Sequence, residues 1–229
     1  MSSIAENVYR VRERIANACA RAGRDTESVR LIAVTKFVDT ARIAEAVEAG
    51  ITETGENRAQ DFSQKLTFFK QNGCTPHFIG QLQTNKIKYV CGEAALIHSV
   101  DRLPLAESLS DRAQKLGITQ DILIQVNIGA ESQKGGVDVS AALELLGRVE
   151  ELPGLKCRGL MCVPPVSEGD AVRPYFAAMR ELLGRARTAY PSMELTELSM
   201  GMTHDYEQAI LEGATMVRVG TGIFGPRIV

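Results

Sequence analysis

Short apolar segments typical of β-strands alternate with helical segments along almost the whole chain. The candidate strands are 31–35, 51–55, 76–80, 95–99, 121–127, 157–163, 194–199 and 215–219. Unbroken apolar runs such as 31–34 are typical of parallel strands that are buried on both faces. Between the strands, apolar residues recur every three or four positions, which predicts helices at 40–49, 58–70, 84–91, 103–116, 140–152, 174–189 and 204–212.

The number of these strand–helix units bears on the choice between two parallel architectures. An open doubly wound sheet is one of them, and a closed eight-stranded barrel with about eight outer helices is the other. A further amphipathic helix ends before Gly23 and can fill the place left after the last strand. We therefore predict an α/β fold, a TIM-type (β/α)8 barrel with an additional N-terminal helix. Because no Pro-, Ser- or Gly-rich linker interrupts the series, we expect one domain over 1–229.

Composition argues against nucleic acid, a membrane or a metal ion as a binding partner. The formal net charge is -2, whereas proteins that bind nucleic acid through phosphates usually have a basic surplus, so we expect no nucleic acid partner. No apolar run is long enough to span a bilayer and the N-terminus lacks a signal-peptide pattern, so we expect no membrane association and a cytoplasmic location. The five cysteines form no C-x-x-C pair and the three histidines are dispersed, which indicates buried thiols and structural histidines, with no metal site.

The active face of such a barrel is built from the carboxyl ends of its strands. Lys36 directly follows the first candidate strand, and Asn57 follows the second. A lysine that is partly desolvated at this rim has a lowered pKa, and its neutral amine can add to an aldehyde to form a Schiff base. The alternative is a lysine whose stem lies on the barrel while its ammonium stays in water.

The last two strands are followed by segments suited to a phosphate. Thr203 and Asp205 are candidate helix N-caps, and Asp205 with Gln208 has the spacing of a capping box. Backbone N–H groups at that helix start and at the glycine of the next strand end, Gly220, would form an anion site where this fold commonly binds phosphate. Ordinary turns that need glycine are the alternative. The G-x-G-x-x-G pattern at 220–225 is not a dinucleotide fingerprint, because only four residues follow it.

Taken together, seven motifs resemble those of a known family. They are AVTK (33–36), GEN (55–57), HFIG (77–80), LQTNK (82–86), HSVDR (98–102), GLM (159–161) and LSMGMT (198–203). The chain resembles the pyridoxal phosphate homeostasis proteins, which are single-domain relatives of the alanine racemase barrel. The resemblance implies pyridoxal 5'-phosphate (PLP) held as an internal aldimine on Lys36, and a role in vitamin B6 balance without established catalytic turnover. It also suggests apo-enzymes that accept PLP as partners, and we expect a monomer.

The resemblance also implies roles for individual residues. Asn57 would border the cofactor and Arg218 would meet the pyridine nitrogen. The phosphate would be held by Ser199, Gly201, Gly220 and Thr221, with Thr203 nearby. Thr203 departs from the family pattern, in which serine is common, but it keeps the hydroxyl.

Two catalytic readings remain as alternatives. Racemases of this barrel type use a second, β-rich domain and an opposing tyrosine, whereas here little chain follows Thr221 and the tyrosines fall in predicted helices. An arginine at the pyridine nitrogen only donates hydrogen bonds, which favours the unprotonated ring and a weaker electron sink. A phosphate-sugar barrel enzyme would need carboxylates at strand ends, where only Glu56 is available.

Overall fold

A closed barrel of parallel strands forms the centre of the molecule, and helices surround it. The computed structural model describes residues 3–131, 133–167 and 169–226. The strands are Arg30–Val34 (β1), Glu53–Glu56 (β2), Thr75–Phe78 (β3), Leu96–Val100 (β4), Gln120–Asn127 (β5), Val137–Asp138 (β6), Leu155–Cys162 (β7), Glu197–Ser199 (β8) and Met216–Val219 (β9). The helices are Ile4–Arg21 (α1), Thr40–Glu48 (α2), Ala59–Gln71 (α3), Leu103–Leu116 (α4), Ala142–Glu150 (α5), Arg173–Ala189 (α6), Tyr206–Leu211 (α7) and Thr221–Phe224 (α8), with short 3-10 turns at Thr26–Ser28, Thr84–Tyr89 and Gly169–Val172.

Strand pairing closes the sheet on itself. Eight strands follow one another in the order β1-β2-β3-β4-β5-β7-β8-β9, and β9 pairs with β1 in parallel. The two-residue strand β6 pairs with the end of β5 beside this ring and was not predicted, because two residues carry no periodic pattern. The predicted TIM-type barrel is confirmed, and the open doubly wound alternative is excluded by the closure.

The N-terminal helix α1 packs against α2, α7 and α8. Its first turn is held by a reciprocal capping box, in which Ser3 Oγ accepts from the Glu6 N–H and Glu6 Oε2 accepts from the Ser3 N–H. Asn7 Nδ2 then donates to the carbonyl of Ile223 in α8, at 2.9 Å. The helix therefore covers the barrel next to its last strand, which is the place that the sequence assigned to it.

Two helical predictions need correction. The segment 84–91 forms the 3-10 turn Thr84–Tyr89 instead of an α-helix. At α7 the expected capping box is wrong, since Asp205 makes no side-chain bond to the helix start. Its Oδ1 instead accepts from the backbone N–H of Met202, at 2.6 Å, which tightens the loop before the helix.

The apolar core has two parts. The larger part lies between the barrel and the helices, and the smaller fills the barrel interior with Ile32, Leu96, Leu123, Met161 and Met216. All five cysteines are free thiols and are buried. Within the described ranges, none of the helices combines the length and apolar character needed to cross a bilayer.

Candidate functional site

A cavity of about 650 Å³ opens at the carboxyl-end mouth of the barrel, beside β1 and β9. We call it the rim cavity, and its lining residues are Val34, Lys36, Phe37, Val38, Asp39, Arg42, Met202, Thr203, His204, Arg218, Gly220, Thr221, Phe224, Gly225 and Pro226. Five of the eight residues predicted from the sequence are among them, namely Lys36, Thr203, Arg218, Gly220 and Thr221. The volume is in the range of small-molecule sites.

Lys36 projects from a turn that is held firmly on the barrel side. The Thr35 hydroxyl donates to Glu56 Oε1 at 2.7 Å, and Lys65 Nζ donates to the Thr35 carbonyl at 2.8 Å and to the same carboxylate oxygen at 2.6 Å. On the other side, Phe37 has a φ of 62°, which is rare for a bulky side chain and stores strain. Lys36 therefore leaves the strand in a direction that its two neighbours determine.

Glu56 is committed to this turn and lies outside the cavity lining. Its carboxylate is buried and bonded to Thr35 and to the Lys65 ammonium. A buried carboxylate with these two donors holds structure, and it is not placed to act as an acid or base on a ligand. This placement counts against the phosphate-sugar enzyme alternative.

The turn after β9 lines the same cavity as Lys36. Gly220 directly follows the strand, and the N–H of Gly222 donates to Thr203 Oγ1 at 3.3 Å, which joins this turn to the loop after β8. A Cβ on Gly220 would meet Val34 Cβ at 3.4 Å, an ordinary contact. Thr203 and Thr221 therefore present hydroxyls beside a strand end with little side-chain bulk.

Arg218 is the buried cation of the cavity, only 3% exposed. Its Nη1 donates to Ser199 Oγ at 2.6 Å, and its Nη2 donates to the Cys162 carbonyl at 2.8 Å. Burial lowers the pKa of the guanidinium, and the nearby Cys162 and Asp205 oppose that shift. Burial likewise raises the pKa of Asp205, against the opposing effects of the Met202 N–H and Arg218.

Ser199, Gly201 and Asn57 were predicted to contact the cofactor but do not line the rim cavity. The assignment of Ser199 to the phosphate disagrees with its placement, because the hydroxyl is fully buried and already accepts from Arg218. Gly201 has a φ of 91°, and a Cβ there would lie 2.6 Å from the Ala209 Cβ, so the absence of a side chain permits the close packing of α7. Asn57 lies just beyond β2, and its buried Oδ1 has no hydrogen-bond partner among the described residues.

Two histidines that sequence reasoning treated as dispersed are in contact. His77 Nδ1 lies 3.0 Å from His98 Nε2, and His98 Nδ1 lies 2.9 Å from Ser199 Oγ. No local signal marks this contact, since the two are 21 residues apart in the chain and the register of β3 and β4 pairs His77 with Leu96, two residues before His98. Arg42 also lines the rim cavity and was not predicted, because it lies in α2, and only the folded chain brings that helix to the cavity.

Burial of His98 predicts a loss of stability in mild acid. Desolvation, with His77 and Arg218, holds the pKa of His98 well below 6.5, so the folded chain keeps it neutral while the unfolded chain takes up a proton. The free energy of unfolding should fall by roughly 1 kcal/mol per pH unit below about pH 6.5. Urea denaturation at pH 7.5, 6 and 5 checks this. A His204→Gln variant should keep the slope and His98→Gln should flatten it, whereas a flat wild-type profile would contradict the prediction.

Comparison with known proteins identifies the family of the chain. A family model described as the alanine racemase N-terminal domain matches residues 2–227. The pyridoxal phosphate homeostasis protein of Aquifex aeolicus (strain VF5) is 47% identical over 223 residues, which cover 97% of both chains. The protein of the same name from Escherichia coli (strain K12) is 40% identical over 232 residues, covering 99% of this chain and 98% of its own. The chain belongs to the pyridoxal phosphate homeostasis protein family.

The family likeness extends to an experimental structure. PipY of Synechococcus elongatus, solved with PLP bound, superposes with a TM-score of 0.85 at 34% identity, covering 97% of this chain and 100% of that one. The resemblance to the pyridoxal phosphate homeostasis proteins that the seven motifs indicated is thereby confirmed. The racemase-like barrel that the resemblance implied is confirmed as well.

Proposed function

We propose that this chain binds PLP in the rim cavity through Lys36 and acts as a PLP carrier in vitamin B6 homeostasis. One observation carries the proposal. The fold brings Lys36, Arg218 and the turn at Gly220 and Thr221, which are far apart in sequence, to the walls of one cavity. The name of the Aquifex relative and the PLP bound to PipY support the same ligand.

The donor set of the cavity fits the charges of PLP. Lys36 supplies an amine, and Arg218 supplies a buried donor for the ring nitrogen. Thr203 and Thr221 supply hydroxyls for the phosphate, beside Gly220, where the absence of a side chain lets backbone N–H groups approach closely. Of the residues first assigned to the phosphate, Ser199 and Gly201 have no direct part in this proposal.

PLP supplies an aldehyde that condenses with a neutral primary amine, with loss of water, to a Schiff base that borohydride reduces. For the purified chain we expect added PLP to give a yellow chromophore at a stoichiometry of one per chain. Reduction and peptide mapping should place the adduct on Lys36. An adduct on another lysine, or absorbance no different from free PLP, would overturn the proposal.

The geometry favours a carrier over a racemase. Arg218 is a donor-only group, and an arginine beside the pyridine nitrogen keeps that nitrogen unprotonated, which weakens the cofactor as a sink for carbanion charge. The opposing tyrosine of a racemase also has no counterpart in the lining of the cavity, as far as residues 3–131, 133–167 and 169–226 describe it.

Exchange of α-protons tests this choice. The PLP-loaded chain is incubated with L-alanine in deuterated water, and NMR follows the α-proton and chirality. We expect exchange no faster than with free PLP and a small-molecule amine, because the chain adds neither a strong electron sink nor a second acid. Rapid exchange with racemisation that disappears in Lys36→Ala would establish the racemase alternative.

A further inference from the structure

A file of polar side chains, each in contact with the next, crosses the interior of the barrel. It begins at the amino-end mouth, where Glu53 Oε2 lies 2.9 Å from His77 Nε2, at ion-pair distance but without the alignment of a hydrogen bond, and Glu53 Oε1 lies 3.9 Å from the Nε of Arg30. His77 contacts His98 at 3.0 Å, and His98 contacts Ser199 Oγ at 2.9 Å. Ser199 then accepts from Arg218 at the rim cavity. We call Glu53, His77, His98 and Ser199 the polar file.

The two ends of the polar file determine where its protons lie. A carboxylate oxygen 2.9 Å from a ring nitrogen repels a lone pair there and attracts a proton, so the proton of neutral His77 is on Nε2, on the side of Glu53. His77 Nδ1 then accepts, His98 donates from Nε2, and the Ser199 hydroxyl donates to His98 Nδ1. At the other end the Arg218 guanidinium can only donate, and Ser199 Oγ accepts its hydrogen bond through a lone pair. With both histidines neutral and Glu53 ionised, this is the arrangement that forms the His77–His98 and His98–Ser199 hydrogen bonds and keeps a proton between His77 Nε2 and the carboxylate.

We propose that the polar file positions Arg218 for the cofactor. The guanidinium is buried and is held by Ser199 Oγ and the Cys162 carbonyl. A hydroxyl that could rotate would be a loose support, but His98 fixes the direction of the Ser199 O–H, and His77 and Glu53 fix His98. The carboxylate at the far end also polarises the intervening groups toward the buried positive charge. The consequence for binding rests on the proposed contact between Arg218 and the pyridine nitrogen, whereas the file itself does not.

The proton positions can be read in the cofactor-free chain. Nitrogen-15 NMR of the histidine rings at pH 7.5 should show His77 and His98 neutral, each with a pyridine-type Nδ1 and a protonated Nε2. A proton on Nδ1 of either ring, or a doubly protonated ring, would overturn the proposal.

Matched serine variants test the effect on Arg218. Ser199→Ala removes the link, and Ser99→Ala removes a buried β4 hydroxyl that has no partner among the described residues. In Ser199→Ala we expect the side-chain protons of Arg218 to exchange with solvent at least tenfold faster without cofactor, PLP affinity to fall about tenfold, and the absorbance maximum of bound PLP to shift. Ser99→Ala should change none of these. A Ser199→Ala protein that is less stable but unchanged in Arg218 exchange would show a merely structural serine and overturn the proposal.

If Ser199→Ala fails to fold, a second pair of variants at the amino-end mouth of the barrel tests the same proposal. Glu53 and Glu197 both lie near Arg30 at the amino-end mouth, but Glu53 alone contacts His77 in the described structure. Glu53→Gln should speed Arg218 proton exchange about threefold from the opposite end of the barrel, and Glu197→Gln should not. Equal effects of the two would refute transmission along the file. These exchange measurements use no PLP, so they stand apart from any failure of the proposed function.

Discussion

Lys36→Ala should abolish the yellow, borohydride-reducible species entirely while leaving the fold intact. An alanine has no amine to condense with the aldehyde, and the turn that carries residue 36 is held by its neighbours: Thr35 is bonded to Glu56 and Lys65. Circular dichroism and thermal melting should therefore match the wild type. Residual PLP binding through phosphate and ring contacts is expected, but as a non-covalent complex that borohydride does not fix.

The control for this experiment is Lys88→Ala. Lys88 is exposed, and its ammonium lies over the Tyr89 ring, 5.1 Å from the ring centroid and outside the cavity lining. This variant should give the wild-type spectrum and the same reduced peptide. If Lys36→Ala kept a stoichiometric reducible chromophore, Lys36 would not be the attachment site.

Gly220→Val should weaken PLP binding by tenfold or more, which corresponds to at least about 1.4 kcal/mol. The backbone at Gly220 has a φ of -108°, which any residue adopts, and the three atoms nearest to an added Cβ all belong to Val34, at 3.4 Å or more. The protein can therefore accept the side chain, and the branched methyl groups would occupy the space that we assign to the phosphate. Titration of the absorbance band measures the affinity.

The matched control is Gly184→Val, at a position in α6 where an added Cβ has nothing within 4 Å. It repeats the same change of residue away from the cavity and should leave the affinity for PLP unchanged. Gly220→Ala should give an intermediate loss. Wild-type affinity in Gly220→Val would place the phosphate elsewhere.

The barrel was predictable because its pattern is local. Each buried strand and each amphipathic helix is visible within a window of a few residues, and counting the units favours closure. The residues at the mouth that holds the rim cavity could be named for the same reason, since a strand end is read directly from the sequence, as at Lys36 and Gly220. The capping of α7 was not, because Asp205 bonds backward to Met202, and that preference depends on the loop geometry.

Depth within the barrel was not predictable. Lys36 stands two residues beyond β1 and reaches the cavity, whereas Ser199 is the last residue inside β8 and supports Arg218 from below. Closeness to a strand end in the sequence does not distinguish a residue that lines the cavity from one that is buried beneath it. The contact of His77 with His98 was missed because the two are 21 residues apart in the chain, and only the strand register makes them neighbours.

The burial of the thiols gives the barrel an internal reporter of its own opening. Cys157 and Cys162 lie on β7, and desolvation raises the pKa of each to about 12. The thiolate is the nucleophile that attacks an alkylating reagent, so these cysteines react only when β7 leaves its neighbours. The rate of alkylation therefore measures how often the barrel opens. The factor by which added PLP slows alkylation would measure how much PLP binding stabilises the closed barrel against opening.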